Sequence, residues 1–348
     1  MRRPLPPAAE FFLPLGPING YKEERHHIRY GPLCGVRYQV DLTYERLVSG
    51  GEVEETSKRL SSPKNKEKEP MANRFRISCL DDDCVKVFHS FLGEHGLSFL
   101  VETGEQTVLF DVGATGAVIS HNIKLLEKDL SKVTHVVLSH AHYDHTGSLD
   151  WTLDQTRNPI LVADPDLFVE RVSQRDGVTK RTGVPVERAK VEARARLVLT
   201  SEIYPIGEGI HLTGRIPRLN PFEVANPKML INQGNQLAPD QFLDDRSLIL
   251  ETEQGLVVLL GCCHAGLINT LTYTARHFPG SIKAVIGGTH LLEASPEQMA
   301  WTIQELKNTF EPEMLLLNHC TGLDALVAFR NAFGNRLQTM PAGEALEF

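Results

Sequence analysis

The chain has 348 residues, enough for one large domain or two ordinary ones. Hydrophobic content of 41% with 23% charged residues is that of a soluble globular protein and excludes a fibre or a wholly unfolded chain. A formal net charge of -8 excludes a general basic footprint for nucleic acid or anionic lipid, and no apolar run approaches the roughly 20 residues that span a bilayer.

The early stretch Phe11-Phe12-Leu13-Pro14-Leu15 is too short and proline-broken for a signal-peptide core. A cytoplasmic location is therefore expected, with a small-molecule substrate and neither nucleic acid nor membrane as partner. Monomer and homo-oligomer both stay open. Six cysteines in so long a chain make no disulfide framework, so reduced thiols are expected.

In chain order, residues 1–70 come first, with Pro4, Pro6, Pro7, Pro14 and Pro17 early and the mixed-charge run Ser61-Ser62-Pro63-Lys64-Asn65-Lys66-Glu67-Lys68-Glu69-Pro70 at the end. That run cannot pack a core, so 1–70 is expected to be an appended, largely disordered extension, with some strand character across 30–48. Residues 96–102 and 106–111 read as paired strands around Thr103-Gly104-Glu105. Residues 122–130 carry apolar side chains at helical spacing, and 133–138 is a buried strand. A second series follows: strands 247–251 and 256–260, helix 265–277, strand 284–286, helix 296–310, strand 314–317 and helix 323–333. This pattern predicts an α/β fold over 74–348, an αββα sandwich of two mixed sheets packed face to face with helices on the outer faces.

The strand at 133–138 leads directly into Ser139-His140-Ala141-His142-Tyr143-Asp144-His145-Thr146-Gly147. In near-extended chain, His140 and His142 point the same way, so two imidazoles can chelate one ion. Asp144 and His145 follow in a turn, where a hard carboxylate and another imidazole can serve a second ion. Any one of these histidines could be an ordinary surface residue; four ligand types within six positions point to metal.

The run His140-x-His142-x-Asp144-His145 resembles the signature of the metallo-β-lactamase superfamily. Glu94-His95-Gly96-Leu97-Ser98-Phe99, Leu109-Phe110-Asp111-Val112-Gly113, Gly261-Cys262-Cys263-His264-Ala265-Gly266, Gly287-Gly288-Thr289-His290-Leu291 and His319-Cys320-Thr321-Gly322 resemble its branch of 7,8-dihydropterin-6-yl-methyl-4-(β-D-ribofuranosyl)aminobenzene 5'-phosphate synthase-like proteins. The resemblance spans about 74–348. It implies that His140 and His142 hold a first metal, and Asp144 and His145 a second.

Each metal then needs a further histidine. His264, at the tip of a buried strand, is assigned to the first in preference to His211, and His319 to the second. Cys262 or Cys263 falls where many relatives place a bridging aspartate, and thiolate ligand and buried structural cysteine are both open readings. His290 is open as a ligand or, preferably, as an outer residue orienting the substrate or donating a proton; His95 is read as facing the site, and Arg215 and Arg218 as forks for an anionic substrate or else ordinary solvated arginines.

Two zinc ions per chain are expected, with manganese or iron as alternatives. Relatives with di-iron redox centres carry glutamate at the position of His142, so its imidazole argues against redox chemistry. The resulting expectation is a hydrolase of a small, anionic ester, lactone or phosphoester using metal-bound hydroxide, with Asp144 and His290 catalytic. Two other readings stand beside it: a synthase joining a phosphoribosyl donor to an aminobenzoate, as the branch name implies, and a catalytically weak metal-binding sensor.

Overall fold

The computed structural model describes residues 74–234 and 236–348. The extension expected at 1–70 and the strand character at 30–48 lie outside the described residues. The first half runs β1 (Arg76–Asp81), β2 (Ser98–Glu102), β3 (Thr107–Phe110), α1 (Gly116–Leu125), β4 (His135–Val137), α2 (Tyr143–Thr146), α3 (Leu149–Gln155), β5 (Ile160–Ala163), the hairpin β6 (Arg171–Arg175) and β7 (Val178–Arg181), α4 (Arg188–Glu192) and β8 (Arg196–Leu199). The second runs β9 (Tyr204–Gly207), β10 (Ile210–Leu212), the hairpin β11 (Met229–Gln233) and β12 (Gln236–Pro239), β13 (Ser247–Thr252), β14 (Gly255–Leu260), α5 (Leu267–His277), β15 (Ile282–Gly287), α6 (Pro296–Glu305), β16 (Met314–Leu317), α7 (Leu323–Phe333), β17 (Leu337–Gln338) and β18 (Ala345–Glu347).

Two seven-stranded sheets form, in the orders β18-β1-β2-β3-β4-β5-β8 and β17-β16-β15-β14-β13-β10-β9. Their strands are apolar on both faces because each face is covered. In β3, Val108 and Phe110 enter the core between the sheets while Leu109 packs under the outer helices. In β14, Val257 and Leu259 face the other sheet, and Leu256, Val258 and Leu260 pack beneath the helices of that side. The period of two along a strand thus sorts one apolar run into two cores, and the expected αββα sandwich is what the chain adopts.

Strand direction gathers the loops that matter. β3, β4, β5 and β8 run parallel, as do β14, β15, β16 and β17. The segments after β3, β4, β14, β15 and β16 therefore leave from the carboxyl ends of parallel strands, where open α/β sheets place ligands.

Several expected elements shift. The first helix is Gly116–Leu125 rather than 122–130, because Thr115 accepts from Val118 N and caps it early. Leu130 belongs to a separate 3-10 turn. Helix 296–310 ends its regular part at Glu305 and continues as one π turn, Leu306–Phe310. A third sheet, β12-β11-β6-β7, has no counterpart in the sequence reading.

Candidate metal centre

The chain just past β4 brings His140, His142, Asp144 and His145 into the gap between the sheets, and all four are nearly inaccessible. The strand ends early enough for the short α2 to begin at Tyr143 with His142 at its cap. The tip of β14 reaches the same place from the other sheet because position 261 is glycine: a side chain there would strike Ser139 Oγ.

Two groups of ligand atoms gather most of the expected ligands, and Cys262 Sγ belongs to both, as it does to a third with His290 and Cys320. Asp144, His145, Cys262 and His319 have donor atoms all within 4.8 Å of one another, as do His140, Cys262 and His264. His142 lies outside that group but touches it through Nδ1, 3.2 Å from His264 Nε2. In the first group, His145 Nε2 lies 3.1 Å and His319 Nε2 3.3 Å from Cys262 Sγ. Asp144 Oδ2 is 3.5 Å from His145 Nε2 and 3.4 Å from His319 Nε2. The six expected ligands thus converge, joined by Cys262, whereas Cys263 turns away and meets Thr270 Oγ1 at 3.4 Å.

At His319 the downward pull of burial is overcome by Cys320, Asp144 and Asp83, which raise the ring's pKa well above the ordinary range, but at His140, His142 and His264 burial wins. It drives His140 and His264 well below the ordinary histidine range and His142 down to about 3, with neighbouring cationic groups adding to the effect. Neutral rings present lone pairs, which is the state a metal requires. His140 Nε2 and His142 Nε2 are buried without hydrogen-bond partners, an arrangement that costs free energy unless something else satisfies them. Buried nitrogens, a carboxylate and a thiol around a common centre fit divalent metal.

Carboxylates orient the rings from behind. Asp111 Oδ2 lies 2.7 Å from His145 Nδ1 and also accepts from Ser139 Oγ, which contacts His140 Nδ1 at 2.9 Å. Asp83 Oδ1 lies 2.7 Å from His319 Nδ1. Asp244 accepts from Ala141 N and Asp245 from Ala265 N, pinning the two ligand loops to the segment before β13. Sequence reasoning assigned no role to these four; the only local signal was Asp111 in its Leu-Phe-Asp-Val-Gly run. Such outer carboxylates fix ring orientation and tune ligand basicity.

The backbone is strained in the same region. Asp111, Phe242, Cys263, His290 and His319 all have φ between 50° and 60°, a conformation uncommon outside glycine that concentrates at functional sites. Phe242 uses it to stack on His264, with ring centroids 4.1 Å apart and planes 9° from parallel.

The remaining candidates divide. His290 comes to the centre, its ring 4.1 Å from that of His264 and its Nδ1 buried without a partner. His95 stands at the mouth, 55% exposed, with Nε2 3.5 Å from Asp144 Oδ2. His211 is elsewhere, on β10 beside Glu251.

Arg215 and Arg218 do not offer the forks expected of them. Arg215 is occupied by a bidentate pair with buried Asp164, at 2.9 and 2.6 Å, and by Asp166 at 2.8 Å. Arg218 donates to the carbonyls of Glu223, Gln241, His264 and Ala265. The Arg215 guanidinium neutralises two carboxylates of the fold, and both terminal nitrogens of Arg218 are spent on backbone carbonyls, with its Nε buried without a partner.

Residues 92–257 match the family model of the metallo-beta-lactamase superfamily. A curated relative from Methanocaldococcus jannaschii, named 7,8-dihydropterin-6-methyl-4-(beta-D-ribofuranosyl)-aminobenzene-5'-phosphate synthase, is 26% identical over 79% of this chain and 97% of its own. An uncharacterised protein of the same organism is 27% identical over 69% of this chain and 88% of its own. The solved structure of Tm1679, described as a metal-dependent hydrolase of the beta-lactamase superfamily, is 28% identical, covers 79% of this chain and 99% of its own, and superposes with a TM-score of 0.69.

Proposed function

We propose that this chain, which carries a metallo-β-lactamase superfamily domain, is a binuclear metallohydrolase acting on a small ester, lactone or phosphoester. The observation that supports this most directly is the meeting of two donor sets at one buried thiol, Cys262. His140, His142 and His264 would hold the first ion, Asp144, His145 and His319 the second, with Cys262 between them. The nitrogen-rich set with a thiolate suits zinc. Bound there, two divalent ions supply Lewis acidity and lower the pKa of water from about 15.7 toward about 7.

The chain's own groups do the rest. Asp144 Oδ2 lies 3.5 Å from the ring nitrogens of His95 and His145 and 3.4 Å from that of His319, so it holds negative charge at the centre and orients the attacking water. His290, with an unpartnered Nδ1 beside His264, is placed to hand a proton to the leaving group. His95 meets the substrate at the mouth. Phe242, stacked on His264 and 2% exposed, keeps bulk water from that side.

Elemental mass spectrometry of the purified protein tests the reading, paired with hydrolysis of bis(p-nitrophenyl) phosphate and p-nitrophenyl acetate. About two zinc ions per chain are expected, with His264→Ala and His319→Ala each losing metal and activity together. Absence of stoichiometric metal would sink it. A synthase is the second reading, favoured by the name of the M. jannaschii relative, which matches this chain over 97% of its length. Diphosphate release from a phosphoribosyl donor in the presence of an aminobenzoate, with neither model ester hydrolysed, would replace the hydrolase by the synthase. Full metal with neither activity would point to a sensor.

A further inference from the structure

The sheet β12-β11-β6-β7 is tied to both sides of the metal centre. On one side Tyr143 N, between His142 and Asp144 in sequence, donates to Thr182 O just past β7 at 2.9 Å. Asp244, which receives Ala141 N, also pairs with Arg171 of β6 at 3.0 Å. On the other side Glu293, three residues beyond His290, is held at 3.2 Å by both Arg175 of β6 and Asn226, which precedes β11.

Register decides what this sheet presents to the centre. Ser173 pairs with Lys180 and with Met229, and Arg175 pairs with Val178. Directly paired residues share a face and successive residues alternate. Arg171, Ser173, Arg175, Val178, Lys180 and Met229 therefore lie on one face, and the contacts of Arg171 with Asp244 and of Lys180 with Tyr143 turn that face toward the ligand loops.

This face carries three cations. Arg171 is buried and pairs with Asp240 and Asp244 at 2.8 and 3.0 Å. Arg175 pairs with Glu293. Lys180 alone has no carboxylate partner among the described residues; its Nζ lies 4.8 Å from the centroid of the Tyr143 ring. The ring face attracts the ammonium and leaves its donors available, at a residue flanked by two candidate metal ligands.

Resting on the metallohydrolase reading, we propose that Lys180 is the anion-recognising residue of this centre. Its ammonium receives a phosphate or carboxylate group of the substrate as the reacting bond reaches the ions past Tyr143. An ammonium is a point charge with three rotatable donors, so it accepts either anion without the planar match that a guanidinium imposes. The role expected of Arg215 and Arg218 thereby passes to a residue on the β6–β7 hairpin.

Calorimetric titration of the metal-loaded protein with phenyl phosphate, benzoate and neutral benzamide tests this for wild type, Lys180→Ala, Lys180→Glu and Lys180→Arg, with metal content measured on each. Lys180→Ala is expected to weaken at least one anion about tenfold. Lys180→Glu should weaken it further, Lys180→Arg should retain most of the affinity, and benzamide should be unaffected. Weakening of phenyl phosphate alone assigns a phosphoester substrate, and of benzoate alone a carboxylate. Unchanged anion affinity in the alanine and glutamate variants, equal loss for benzamide, or no anion binding by wild type overturns the proposal. Because binding is read without turnover, a wild type that binds anion but hydrolyses neither model ester would sink the hydrolase and leave Lys180 in place.

Discussion

Asp111 orders more of the centre than any other carboxylate. It receives Ser139 N and Oγ and faces His145 Nδ1, so one buried group sets the course of the ligand loop and the angle of a ligand ring. Removing such an outer partner typically weakens metal binding about 10–100-fold, and Asp111→Ala should do so in a chelator competition; unchanged affinity would reduce Asp111 to a space filler. The two adjacent cysteines make a sharper contrast. Cys262→Ser should lower metal affinity while Cys263→Ser leaves it unchanged, because only the first thiol faces the ligands. Equal effects would show that the loop, not the sulfur, matters. The four candidate ligands at 140–145 were legible because strand geometry makes them neighbours in space as well as in sequence. Asp83, Asp244 and Asp245 were not, since their partners lie far along the chain and no local spacing marks them.

Among the elements, α5 begins at Gly266, which offers no side chain to cap it. A distant residue does so instead: Glu223 accepts from Ile268 N at 2.7 Å and Asn269 N at 2.8 Å. A carboxylate at a helix N-terminus satisfies orphan donors and meets the positive end of the helix dipole. Glu223→Ala should therefore cost about 1–2 kcal/mol, the range of lost caps, read as a lower denaturant midpoint, with Glu223→Gln losing less. Strand β14 offers the comparison for packing, since Leu259 is fully buried between the sheets. Leu259→Ala should cost about 2–5 kcal/mol; a much smaller loss would mean that the core collapses around the gap. Apolar runs located β14, β15 and β16 within a residue or two because both faces are buried. They missed β6, β7, β11 and β12, whose exposed faces carry charge and whose pairing joins segments some fifty residues apart.

At the scale of the molecule, the candidate ligands and the carboxylates behind them fall between Asp83 and His319, and both large sheets close within the described residues, β18 pairing back onto β1. A chain starting at Met71 should therefore keep the metal content of the full protein, as elemental mass spectrometry would show; loss of metal on that truncation would give 1–70 a part in the centre. No helix among the described residues is long and apolar enough to cross a membrane. The αββα sandwich and the position of the first ligand loop were determined by the sequence itself, because hydrophobic periodicity and the spacing of His140, His142, Asp144 and His145 are local properties of the chain. Only the tertiary structure decided that Cys262 rather than Cys263 joins the ligands, that Arg215 and Arg218 serve buried carboxylates and carbonyls, and that a third sheet brings Lys180 over Tyr143. Each of these depends on which strand ends meet at one edge, and that is settled by packing across the two sheets, which no window of neighbouring residues contains.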